Sequence, residues 1–172
     1  MKKFLVLAVL AAALIAAPAT AKEGLYIGAY LPNTEISGNN GTVLESGSGL
    51  GFRAGMGFNR YFAIEGNYAT TRHDIGGASE DLKALAVGLK INFPLTSLDS
   101  ANVMTVEPYV LVGYGQYEIN SVDGGGTQVG VGIELYLFKE LSVNAGWTKT
   151  NVSGDIDGDV KTFDIGLMYH FI

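Results

Sequence analysis

The chain has 172 residues, no cysteine and a formal net charge of −6. The missing cysteines exclude disulfides and a lipidated N-terminal cysteine, and the acidic balance excludes nucleic acid, whose phosphates need a basic stripe. With 24 Gly, 9 Tyr and 8 Phe but only 4 Pro, the composition suits Gly-rich alternating strands facing lipid better than an acidic soluble domain.

Residues 1–21 read as a cleaved secretory signal peptide. Lys2 and Lys3 form a positive start, Phe4 to Ala17 is apolar, and Ala19-Thr20-Ala21 is a small-x-small cleavage site. The apolar run falls short of the roughly 20 residues a spanning helix needs. One domain, 22–172, is expected to remain, with 9 of the 11 basic residues against 17 acidic ones, a net charge of −8.

Eight segments with a period of two follow, and a period of two marks strands. In the first, Leu25, Ile27, Ala29 and Leu31 oppose Tyr26, Gly28 and Tyr30. The second sets Leu50, Phe52, Ala54, Met56 and Phe58 against Gly51, Arg53, Gly55 and Gly57. After a tight turn at Asn59-Arg60, Phe62, Ile64 and Tyr68 oppose Ala63, Glu65 and Asn67. The fourth sets Leu85, Val87, Leu89, Ile91 and Phe93 against Ala84, Ala86, Gly88, Lys90 and Asn92, and Pro94 ends it.

The fifth is less regular: Val110, Val112 and Tyr114 face one way, Glu107, Tyr109, Gly113 and Gly115 the other, and Leu111 breaks the pattern. In the sixth, Val129, Val131, Ile133, Leu135 and Leu137 oppose Gln128, Gly130, Gly132, Glu134 and Tyr136. A short Lys139-Glu140 turn opens the seventh, where Leu141, Val143, Ala145 and Trp147 oppose Ser142, Asn144, Gly146 and Thr148. The eighth, from near Val160, carries Phe163, Ile165, Leu167, Tyr169 and Phe171 against Asp164, Gly166, Met168 and His170.

Long, polar, Gly-rich connections are expected at Asn33–Gly47, Thr71–Glu80, Glu118–Gly126 and Thr150–Asp159, alternating with tight joins and an intermediate Pro94–Asn102. That alternation matches short periplasmic turns and long external loops, starting from a periplasmic N-terminus. An even strand count lets the last strand pair with the first and removes exposed edges. The face opposite the apolar one is mostly Gly, Ala, Asn and Ser, a poor outer surface for a soluble barrel but a good filling for a narrow one. Tyr61, Phe62, Phe93, Phe138, Trp147, Tyr169 and Phe171 gather near strand ends, as interfacial girdles do. The expected fold is therefore an all-β, eight-stranded antiparallel up-and-down transmembrane barrel.

Projected inward, Arg53 and Lys90 share the lumen with Glu65, Glu107, Glu134 and Asp164. Buried charges are costly unless paired, so this set is expected to form either a salt-bridged structural plug or a charge gate. Eight strands leave an interior that side chains just fill, which argues against bulk diffusion.

Phe62-Ala63-Ile64-Glu65 resembles the third strand, with its inward Glu, of small outer-membrane barrels of the OmpA transmembrane-domain/OmpX class. Leu89-Lys90-Ile91 resembles the next strand with its inward Lys, and Pro108-Tyr109 a common opening of strand five. The resemblance spans nearly all of residues 22–172. The alternation through Phe163, Ile165, Leu167, Tyr169 and Phe171 resembles the terminal strand that the family's assembly machinery reads, with Ile172 added after the aromatic. The resemblance implies a Gram-negative-type outer membrane, lipid and lipopolysaccharide as surroundings, and no cofactor. It also implies a monomer and, as partners, the assembly machinery and an external protein ligand bound by loops. The cell-wall-binding domain of full-length OmpA proteins is not expected.

Catalysis, known on some small outer-membrane barrels, needs a nucleophile, a base and an orienting acid held together. His73, expected in a loop beside Asp74, and His170, expected inward at the periplasmic end, have Ile75 and Met168 where a strand-face serine would stand. Asp155, Asp157 and Asp159 begin like a calcium loop, but the glycine is misplaced and the distal Glu is missing. No metal site is expected. The reading is a non-enzymatic barrel with a structural or surface-interaction role; its alternative is a narrow gated ion channel.

Overall fold

The computed structural model describes residues 23–38, 46–75, 78–95, 105–120, 122–155 and 158–171. The expected signal peptide, the Asn39–Glu45 part of the first connection, Asp157 and Ile172 lie outside them. The described residues form eight strands: β1 (Gly24–Gly38), β2 (Gly47–Gly57), β3 (Phe62–Ile75), β4 (Ala78–Asn92), β5 (Thr105–Ile119), β6 (Val122–Tyr136), β7 (Leu141–Gly154) and β8 (Gly158–His170). Each pairs antiparallel with its sequence neighbour, and β8 closes on β1 from Tyr26↔His170 to Gly38↔Gly158, giving a closed up-and-down barrel. All backbone polar groups in a closed ladder can be satisfied internally, which is what a lipid environment demands.

The tight turns form where the sequence placed them. The Asn59 side chain accepts hydrogen bonds from the backbone N–H groups of Tyr61 and Phe62 at 2.8 and 2.9 Å, fixing the chain reversal between β2 and β3. Between β6 and β7, the Leu137 N–H donates to the Leu141 carbonyl at 2.9 Å. The termini and these turns share one end of the barrel.

The opposite end differs from expectation. Three of the four expected long connections are mostly strand: β3 runs to Ile75 and β4 starts at Ala78, β5 and β6 are separated by Asn120 and Ser121, and β7 and β8 by three residues. Asn120, at φ 50°, takes the left-handed conformation that a two-residue hairpin turn requires. The physical reason lies in length. A 15-residue strand such as β4 or β6, tilted as barrel strands are, rises about 38 Å, well beyond the roughly 25 Å apolar band of an outer-membrane barrel. The excess stands in water, where apolar alternation ceases and a polar strand reads as a loop.

Leu111 also receives a simple explanation. The alternation in β5 is unbroken, and Leu111 is an inward residue, buried between Gly88 and Gly130 on the flanking strands. Small neighbours make room for a large apolar side chain inside the lumen.

Along the axis the two faces exchange character. Toward the terminal end the outer face is apolar (Ile27, Phe52, Leu89, Val112, Val131, Ile165 and Leu167 are all exposed) and the lumen is polar. Toward the far end the lumen holds an apolar cluster of Ile36, Leu82, Tyr117, Val152 and Val160. There the outer face carries ion pairs between neighbouring strands: Arg72–Asp81 at 3.2 Å, Lys83–Glu118 at 3.7 Å, Lys149–Asp159 at 2.8 Å and Lys161–Glu35 at 3.3 Å. The crossover falls near Tyr68, Tyr114, Trp147 and Phe163, an aromatic level suited to a membrane–water boundary.

Candidate functional site

The lumen is built from paired glycine and tyrosine. Tyr26 lies directly opposite Gly55, Tyr30 opposite Gly51 and Tyr109 opposite Gly132. A Cβ at any of these glycines would collide with the tyrosine ring across from it. Each ring therefore lies down across its neighbouring strand and fills the barrel without touching lipid, a cross-strand packing that compensates for the missing side chain.

The rings carry cations. The Arg53 guanidinium sits 4.2 Å from the Tyr30 ring centre, and Lys90 Nζ sits 4.4 Å from Tyr109 and 5.5 Å from Tyr26. Around them runs a chain of alternating charge. Arg53 Nη2 donates to Asp164 Oδ1 at 2.6 Å and Nη1 lies 3.8 Å from Glu65. Lys90 Nζ lies 3.9 Å from Glu65 and donates to Glu134 Oε2 at 2.7 Å. The Tyr26 hydroxyl donates to Glu65 at 2.9 Å, and Asn144 Nδ2 donates to Asp164 at 3.2 Å. The order Asp164–Arg53–Glu65–Lys90–Glu134 thus links β8, β2, β3, β4 and β6 across the lumen. Glu107 is buried on the same inner face, directly opposite Glu134 in the ladder. Charge-assisted hydrogen bonds in a low-dielectric interior are strong, and removing one partner leaves a buried charge uncompensated.

Three residues that sequence reasoning did not assign to this network belong to it. Ser142 Oγ donates to Glu134 Oε1 at 2.6 Å, and His170 Nε2 lies 2.9 Å from the same oxygen and 3.0 Å from Ser142 Oγ. Asn144 completes the set. The inward faces of the seventh and eighth segments contained all three, but only cross-strand register brings them to Glu134 and Asp164. A serine therefore does reach His170, from a neighbouring strand rather than from its own. The arrangement is not a catalytic relay: serine and carboxylate meet the same ring nitrogen, and the serine proton goes to the carboxylate. A triad needs the two partners on opposite nitrogens.

His73 is in β3 rather than in a loop. It is buried inside the far end, with Nε2 2.9 Å from Thr71 Oγ1. Of the last acidic loop, Asp159 is engaged with Lys149. Among the described residues no cluster of three or more His, Asp or Glu is arranged to hold a metal ion. Phe163, Ile165, Leu167, Tyr169 and Phe171 line the outer face of β8 and its end, each about half exposed, and the Phe171 N–H bonds the Leu25 carbonyl at 2.8 Å.

A closed eight-stranded barrel with an apolar outer belt, aromatic edges and a charge-paired lumen defines an integral barrel protein of the bacterial outer membrane. Residues 4–171 match the outer membrane protein beta-barrel domain, and the chain belongs to that family. No curated protein matches it in sequence. Among solved structures it is similar in fold to Ail, the attachment invasion locus protein of Yersinia pestis, with 16% identity and a TM-score of 0.60 over 87% of this chain and 99% of that one. Neisserial surface protein A is 14% identical with a TM-score of 0.58, over 90% of this chain and 100% of that one. OprG from Pseudomonas aeruginosa is 14% identical with a TM-score of 0.53, over 87% and 98% respectively.

Proposed function

We propose that this protein is a non-enzymatic outer-membrane barrel with a structural or surface-interaction role, and that its interior charges are a plug rather than a gate. The observation that carries this reading is the filled lumen. The ion-paired chain through Arg53, Glu65, Lys90, Glu134 and Asp164 crosses it at one level, and the apolar cluster around Leu82 and Val160 crosses it at another. In this reading residues 1–21 direct export and are removed. The β8 outer face, Phe163 to Phe171, is read by the assembly machinery, and the monomer sits among lipopolysaccharide with its far end outside.

The far end is then the surface where a partner binds. A crystal structure of Ail contains the heparin analogue sucrose octasulfate. The charge here points to a different ligand: Arg72, Lys83, Lys149 and Lys161 each already lie against a carboxylate, while Asp74, Glu80, Asp123 and Asp155 add negative charge at the same end. A polyanion would be repelled, so the external ligand is a neutral or basic protein surface.

Planar-bilayer conductance of the refolded protein, beside a Lys90→Ala variant, tests the plug. A silent bilayer with folded protein supports it. Discrete openings that change in the variant would establish the gated channel instead.

A further inference from the structure

One seam of the wall differs from the others. The pairing of β1 with β2 runs from Gly24↔Gly57 to Tyr30↔Gly51, stops at Leu31 and Pro32, and resumes in the same register at Asn33↔Ser48 and Thr34↔Gly47. Among the described residues every other ladder runs without an internal break. That includes the opposite edge of β1, where Leu31↔Ile165 and Pro32↔Asp164 are both present.

Backbone chemistry accounts for the break. In an antiparallel ladder successive residues turn their N–H and C=O groups to opposite neighbours. The Phe171 N–H bonds the Leu25 carbonyl, so odd residues of β1 turn to β8 and even ones, Pro32 among them, to β2. Proline has no N–H to give, so the Gly49 carbonyl, which an unbroken register would set opposite Pro32, loses its ladder donor. β2 is pressed the other way at the same residue: a Cβ at Gly49 would run into the Thr70 carbonyl of β3. Outside the break stand Leu31 and Leu50, 67% and 51% exposed, just on the lipid side of the aromatic level at Phe163. Inside it, Arg53 of β2 reaches past β1 to Asp164 of β8 at 2.6 Å, and Asp164 is the register partner of Pro32.

We propose that the wall of this barrel parts sideways between β1 and β2, at the level of Leu31 and Leu50, with β1 moving as one body with β8. The Arg53–Asp164 ion pair is the clasp that holds this seam from inside the lumen, where the other seams are held by an unbroken backbone ladder. The opening faces lipid. It leaves the Lys90–Glu134 pair, on β4 and β6, undisturbed, so the lumen stays plugged along its axis.

Hydrogen–deuterium exchange of the refolded barrel in lipid, followed amide by amide by NMR, tests this with a control inside one strand. Tyr30 and Gly51 turn their N–H groups to the β1–β2 seam, whereas Ala29 and Leu31, at the same depth, turn theirs to β8. Tyr30 and Gly51 should exchange at least about ten times faster than Ala29 and Leu31. Pro32→Val, which supplies the missing N–H, should remove that difference, and Asp164→Asn, which unfastens the clasp, should widen it. Equal protection of all four amides in the unaltered protein would overturn the proposal. So would a difference that either substitution leaves unchanged.

Discussion

The terminal half and the far half of this barrel are built on opposite plans. Near the termini the wall is apolar outside and the lumen is held by buried ion pairs, Arg53 with Asp164 and Lys90 with Glu134. At the far end the lumen is packed with Ile36, Leu82, Val152 and Val160, and the ion pairs are outside, Lys83 with Glu118 and Arg72 with Asp81. One set of continuous strands meets two solvents. Where lipid surrounds the barrel, apolar side chains point out and the polar ones must satisfy each other. Where water surrounds it, the ordinary rule of a soluble protein returns. β4 shows the change within one strand: Leu82 is buried with Asp81 and Lys83 outward, whereas Leu85 and Leu89 are outward with Lys90 buried.

The largest effect that separates the halves is expected from Arg53→Ala. It leaves the Asp164 carboxylate in the lumen without its cation, and Glu65 with Lys90 alone at 3.9 Å, and should cost about 3–5 kcal/mol, read by denaturant unfolding in detergent or lipid. Adding Asp164→Ala should recover part of that loss, since the two residues act as one unit. On the other side of the comparison, Leu82→Ala removes apolar packing inside the far lumen and should cost about 2–4 kcal/mol. If it cost nothing, the far half would not have a soluble-type core.

A charge scan on the outer face sharpens the boundary. Val131→Lys should cost about 2–4 kcal/mol, because the position faces lipid, whereas Thr127→Lys, on the same face of β6 and about 13 Å further along, should be near neutral. Equal costs would mean that lipid covers both. The smallest expected effect is at the exposed Lys83–Glu118 pair, where Lys83→Ala should change stability by at most about 1 kcal/mol and less in high salt.

The fold was legible because one physical rule, alternation against lipid, governs most of the sequence. Eight strands, their faces and the tight turns at Asn59 and Lys139 all follow from it. The rule failed where lipid ends. Thr71, Arg72, His73 and Asp74 alternate in and out as regularly as any residues in β3, but all four are polar, so period two carried no contrast and the strand read as a loop. Leu111 is the converse case: a hydrophobic residue reads as lipid-facing in the sequence, but a narrow lumen also accepts an apolar side chain where the partner on the next strand is a glycine, here Gly130. The inward charges were visible as a set, but their order was not. That Glu65 stands between Arg53 and Lys90, and that Ser142 and His170 share Glu134, depends on register across strands far apart in sequence.

The exchange of inside and outside along the axis is tested most directly by solvent accessibility of nitroxide labels in lipid bilayers. Single labels would replace Leu89, Val131 and Ile165 on the one hand, and Lys83, Lys149 and Lys161 on the other. The first three should collide with oxygen dissolved in lipid, and the last three with a water-soluble nickel chelate. Oxygen-dominated accessibility at Lys83, Lys149 and Lys161 would contradict the two-solvent plan, placing the whole barrel within the membrane.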